Sequence, residues 1–109
     1  MTQHIGVEEI DETGGLVRRS GVNFAAVYEA LAQQDGWKER FPWLSTIDEY
    51  GDTVFNSSQL LSHIYTEIDQ LRTTIQDQAA LKEIDALEDF IGDRKELTHK
   101  RIYIKFVGD

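Results

Sequence analysis

This sequence predicts an α+β domain: about three amphipathic helices packed on one face of a small antiparallel sheet formed by N- and C-terminal strands. Leu60, Leu61, Ile64, Tyr65, Ile68, Leu71 and Ile75 fall within an arc of about 140° at 100° per residue, a single apolar helical stripe. Ile102, Ile104 and Phe106 alternate with Arg101, Tyr103 and Lys105, the period of a half-buried strand. A lone strand leaves its backbone groups unpaired, so this one needs partners, and the N-terminal segments are the natural ones. The alternative is a mainly α bundle with one short strand pair. The chain is one domain long, and 1–109 is read as a single domain.

The N-terminal piece HIGVEEIDETGGLVRRS reads as a hairpin turning at Thr13-Gly14-Gly15, where glycine permits positive φ. A helix over about 22–35 follows, with Phe24, Val27, Tyr28 and Leu31 on one stripe. Ser20 or Asn23 is placed to cap it, and Gly36 to end it. In WKERFPW, Pro42 pushes Phe41 out of the helical region, making a connector whose aromatics cover the core. The long helix spans about 57–75. A third, about 79–91, is capped by Asp77, closed by Gly92 and carries Leu81, Ile84, Leu87, Phe90 and Ile91 inward.

The segment IDEYGDTVFN leads into the long helix. With Asn56 as N-cap, Gln59 falls at N3 and completes a variant capping box, while Phe55 and Leu60 occupy the two positions of a hydrophobic staple. Tyr50-Gly51-Asp52 reads as the turn that delivers the chain to that cap.

Composition narrows function by exclusion. There is no cysteine, so disulfides, thiolate catalysis and Cys-type zinc sites are ruled out. The start MTQHIGVEEIDET lacks the basic and apolar regions of a signal peptide, and no apolar run approaches the roughly 18 residues of a membrane span. The expectation is a soluble cytoplasmic protein with no membrane partner. Net charge is −9, with −12 over residues 1–93 and +3 over 94–109. Such a body repels phosphate backbones, so no nucleic-acid partner is expected. It suits a basic protein partner, because complementary fields speed encounter.

The residues that could carry chemistry are sparse. His63 and Glu67 stand one turn apart, which could offer two metal ligands, but an ordinary helix-surface pair is the better reading. Asp48 and Asp52 flank a glycine without the alternating oxygen ligands or closing glutamate of a calcium loop. No G-x-S-x-G elbow, P-loop or G-x-G-x-x-G is present. No catalytic residue, cofactor or metal site is assigned, and an enzyme is not the favoured reading. The candidate interaction residues are Asp48, Tyr50 and Asp52 in the loop, Glu83, Asp85, Glu88 and Asp89 on the acidic side of the third helix, and Trp37 and Trp43 around Pro42.

Ile47-Asp48-x-Tyr50-Gly51-Asp52-Thr53-Val54-Phe55-Asn56 with Gln59, and the C-terminal Tyr103-x-Lys105-Phe106-x-Gly108-Asp109, resemble a group of small bacterial proteins of no established activity. The resemblance covers the C-terminal two thirds. That group often has proline where Glu49 stands, so the turn here is expected to be less rigid. The resemblance implies a bacterial origin and draws interest to Asp52 and Asp109, which the cap and staple leave unexplained. The favoured function is a small acidic protein-binding module, an inhibitor of the immunity or antitoxin kind acting on a basic partner. The alternatives are a self-associating accessory protein, and a hydrolase or metal-binder using Asp48, Asp52, His63 and Asp109.

Overall fold

The computed structural model describes residues 4–109. The chain runs β1 (Ile5–Ile10), β2 (Leu16–Asn23), α1 (Ala25–Ala32), α2 (Trp37–Arg40), a 3-10 turn (Leu44–Thr46) and β3 (Asp52–Asn56). It continues through α3 (Ser57–Gln59), a π-helical stretch (Leu60–Ile64), α4 (Tyr65–Thr74), α5 (Gln78–Ile91), α6 (Arg94–Leu97) and β4 (Tyr103–Gly108). The four strands form one antiparallel sheet in the order β2-β1-β4-β3. The fold is α+β. Among the described residues no helix is long and apolar enough to cross a membrane.

The N- and C-terminal strands are the two central ones, paired from Ile5 with Gly108 to Ile10 with Tyr103. Ile5, Val7, Phe55, Ile104 and Phe106 point to the side where Val27, Leu31, Leu60, Ile64, Ile68, Leu71, Ile84 and Leu87 are buried. Phe106 is fully buried, with its ring 5.3 Å from Phe24 and 5.8 Å from Phe55. Deleting a ring in such a place costs about 3–5 kcal/mol.

The hairpin turn is organised by Asp11, whose Oδ1 accepts from the Thr13 amide, the Thr13 hydroxyl and the Gly15 amide. These bonds, the Thr13 hydroxyl first, hold its carboxyl below the usual range. The β1/β2 ladder slips between Gly6 and Glu8, leaving Ser20, Gly21 and Val22 opposite Val7. The Ser20 hydroxyl repairs the gap by donating to the Val7 carbonyl and accepting from the Val22 amide.

Two expectations need correction. The first helix is Ala25–Ala32, shorter than 22–35. Asn23 pairs with Gly6 in the ladder, and its Oδ1 accepts from both the Ile5 and Ala25 amides, so the chain is still strand there. The stretch Asp52–Asn56, read as a turn and cap, is a fourth strand pairing with β4. Asn56 closes that strand and is also the N-cap of α3: Oδ1 accepts from the Gln59 amide, and the Gln59 side chain accepts from the Asn56 amide. The two elements share a residue. Phe55 and Leu60 are both buried.

α3, the π-helical stretch and α4 follow one another without a break, and α5 begins at the Asp77 cap. The Ser57 hydroxyl accepts from the Ile102 amide and donates to its carbonyl, fixing the start of the long helix against the approach to β4.

Candidate interaction surface

The loop between the 3-10 turn and β3 is held from several sides. Asp48 Oδ1 accepts from the Tyr50 amide at 2.9 Å, and Thr53 Oγ1 accepts from the Asp48 amide at 3.1 Å. The Gly108 amide donates to the Gly51 carbonyl at 2.8 Å. Gly108 permits this contact because it lacks a side chain: a Cβ there would lie 2.3 Å from the Asp48 carbonyl oxygen and 2.4 Å from the Glu49 carbonyl carbon. The two segments IDEYGDTVFN and YIKFVGD are therefore one unit, a strand pair with the preceding loop folded over the end of β4. Tyr50 projects from this anchored loop and is 74% exposed, the most exposed large hydrophobic side chain described.

Tyr28, on α1, stands near the loop. Burial raises its phenol pKa first, and the charges of Glu49 and Asp48 and the phenol of Tyr50 raise it further. Its ring meets Trp37 edge-on at 6.0 Å, and the Lys38 ammonium lies 5.6 Å from the Trp37 ring centre. Tyr28 and Trp37 are half-buried against the core. Tyr28 thus touches Trp37 by its ring and lies within reach of the loop's negative charge. Sequence reasoning placed Tyr28 only on a buried stripe; its polar tip was the sign that one end of it would be wet.

The remaining candidates are spread over the fold, and Asp52, Asp85, Asp89 and Asp109 are exposed. Asp52 makes an ion pair with Lys105 across the β3/β4 ladder, 3.5 Å from the ammonium. Asp109 is exposed and lines an open cleft of about 320 Å³ beside the β1/β2 bulge, with His4, Arg19 and Gly108 among its walls. Asp52 does not line that cleft. Phe41 is fully buried, and Trp43 is half-buried with its ring 6.5 Å from Phe55. Asp48, Asp52 and His63 do not assemble into one donor set: among the described residues no group of three or more His, Asp or Glu could hold a metal.

His63 and Glu67 both close on the segment after Pro42. The His63 ring stacks on Trp43 at 4.1 Å and 4°. Glu67 is buried, 7% exposed, and accepts from the Trp43 amide at 3.1 Å and the Leu44 amide at 2.8 Å. Its carboxylate thereby satisfies backbone donors at the start of the 3-10 turn. The surface-pair reading is corrected for Glu67, which is buried, while His63 is exposed. The signal was present, because Glu67 falls about 20° from Leu60, at the edge of the apolar stripe.

On α5, Glu83 Oε1 accepts from the Val27 amide at 3.0 Å and so supplies the first turn of α1 with a partner. Burial raises its pKa, and the amides of Val27 and Ala26 oppose that rise. Asp85 and Glu88 both bind the Arg72 guanidinium, Asp85 at 2.7 Å. Asp89 is exposed. Among these four acids, three are committed to contacts within the protein. No family model matches this chain, and no curated protein or solved structure matches it either.

Proposed function

We propose that this chain is a small acidic protein-binding module that engages a basic protein partner, in the manner of an immunity protein or antitoxin held in the bacterial cytoplasm. The observation that carries the reading is charge: 20 acidic residues against 11 Lys and Arg, a net −9, in a domain of 109 residues. A field of that sign raises the encounter rate with a cationic surface and discourages acidic competitors. The rigid, exposed Tyr50 adds the kind of anchor around which interfaces concentrate their energy.

The test is affinity capture from a bacterial extract, followed by association kinetics of the purified captured protein at two ionic strengths. The expected partner is basic, and its association slows about tenfold or more between low and high salt. A neutral or acidic partner, or an association rate indifferent to salt, would overturn the reading.

A further inference from the structure

We propose that the open face of the sheet docks a second copy of the chain, the two sheets meeting about a two-fold axis parallel to the strands. The inference stands apart from the basic-partner reading and concerns a part of the surface where charge balances.

The face follows from the register. Val7, Phe106 and Phe55 turn to the helices, so the side chains alternating with them turn the other way. These are Glu8 on β1, Lys105 on β4, and Asp52 and Val54 on β3, with Arg19 of β2 beside Glu8. An antiparallel sheet can leave such a face to water. Two features set this one apart. Leu16 and Val54, two of the four large hydrophobics left exposed among the described residues, stand on it, one on each edge strand. Its two ion pairs, Arg19 with Glu8 and Lys105 with Asp52, cancel in charge, although the chain as a whole carries −9. An acidic body repels its own copy, and a neutral face is where the copy can approach.

The order of the charges selects the occupant. Across β2-β1-β4-β3 they run Arg19, Glu8, Lys105, Asp52: plus, minus, plus, minus. A two-fold axis parallel to the strands reverses that order in the facing copy. Glu8 then stands over Lys105 of the other copy, and Arg19 over its Asp52. Every charge meets its opposite, whereas an axis across the strands would set like on like. Stacked sheets ordinarily meet with their strands within about 30° of each other, as this arrangement requires. The pairs within each chain persist. Arg19 Nε meets Glu8 Oε2 at 3.7 Å and Lys105 Nζ meets Asp52 Oδ2 at 3.5 Å, each pair using one oxygen of its carboxylate. Four strands make a face about 20 Å wide, small for a permanent dimer, so the association is weak, on the order of 100 µM.

The experiment is sedimentation velocity of the whole chain from about 10 µM to about 1 mM, a range that brackets such an affinity. Glu8→Lys and Lys105→Glu are run singly and as an equimolar mixture, with circular dichroism melts to check folding. The wild type should pass from monomer to dimer over the range. Each variant alone sets like charges face to face and should weaken the dimer about tenfold or more. The mixture should restore it, because Glu8→Lys in one copy then faces Lys105→Glu in the other, and the second facing pair is also opposite in sign. Should either reversal lower the melt, Val54→Ser replaces it and should weaken the dimer about fivefold. A wild type that stays monomeric throughout overturns the proposal. So does a dimer that these substitutions leave intact, or one that mixing fails to restore, since either places the contact on another face or axis. The basic-partner reading survives each of these results.

Discussion

On α5, the carboxylates of Glu83, Asp85 and Glu88 each close on a group inside the protein: the Val27 amide for the first, and the Arg72 guanidinium for the other two. In the loop after Ile47, Asp48 and Glu49 stand beside an aromatic side chain that faces solvent. In sequence the two regions look alike, two short runs dense in acid. In the fold the acids of α5 reach across to other elements, whereas Asp48 bonds the Tyr50 amide within its own loop. Both regions stay at the surface, since the Asp85 side chain is 65% exposed and Asp48 is exposed too.

The largest expected effect among the acids that bond across elements is that of Glu67→Ala. It leaves the Trp43 and Leu44 amides without their acceptor in a buried setting, and the expected loss is about 3 kcal/mol in urea denaturation. Glu67→Gln keeps an acceptor oxygen and should lose clearly less. Equal losses would show that packing, not these hydrogen bonds, dominates the site.

Gly108→Ala tests how the loop is held on β4. The added methyl overlaps the Asp48 carbonyl oxygen, so the loop must shift, at a cost of about 2 kcal/mol. Hydrogen exchange at the Gly108 amide should accelerate with it. An unchanged melt and unchanged exchange would mean the loop is not fastened there.

Arg72→Ala removes a bond between elements that sits at the surface. The pair network is partly exposed, so stability should fall by less than about 1 kcal/mol in urea denaturation. A loss as large as that of Glu67→Ala would break the comparison, because the exposed pairs would then hold the helices together as firmly as a buried carboxylate.

Glu83→Gln should have the smallest effect, and its sign depends on pH. Burial raises the folded-state pKa above the ordinary 4.5, so the folded chain holds this proton more tightly than the unfolded one. That contribution to stability is present below the ordinary carboxyl range and is lost as pH rises through the raised value. Glutamine keeps an acceptor for Val27 without the charge. A rise in Tm of no more than about 2 °C is expected at pH 7, vanishing by about pH 4.

The long periodic segments were legible in the sequence. Seven apolar positions of the long helix and three alternating ones in β4 each repeat often enough to define a face, and α5 carried both its cap and its terminal glycine. β3 was missed because it is only five residues long, and although Thr53, Val54 and Phe55 are all strand formers, Phe55 and Asn56 already had an explanation as the staple and cap of a helix start. The π-helical turn at Leu60–Ile64 leaves no mark in a hydrophobic pattern that fits an ordinary helix over the same residues. Tyr50 and Trp37 were both singled out from the sequence, but the ring contact between Trp37 and Tyr28 emerges only in three dimensions. Gly108 illustrates the same limit. Its role depends on a backbone sixty positions earlier in the chain.

The sheet order β2-β1-β4-β3 also sets a schedule for folding. The β1/β2 hairpin is local and can close early, whereas β3 has no strand neighbour except β4. Until β4 inserts, the hairpin and the β3 edge are separate fragments, each with backbone groups open to other chains. Insertion must bring together residues as distant as Ile5 and Gly108, a long loop to close before any of its contacts form. The Tyr50 loop is folded over the end of that same strand. A chain that has not yet placed β4 therefore has nothing to fasten that loop, and its order arrives only when the sheet is complete.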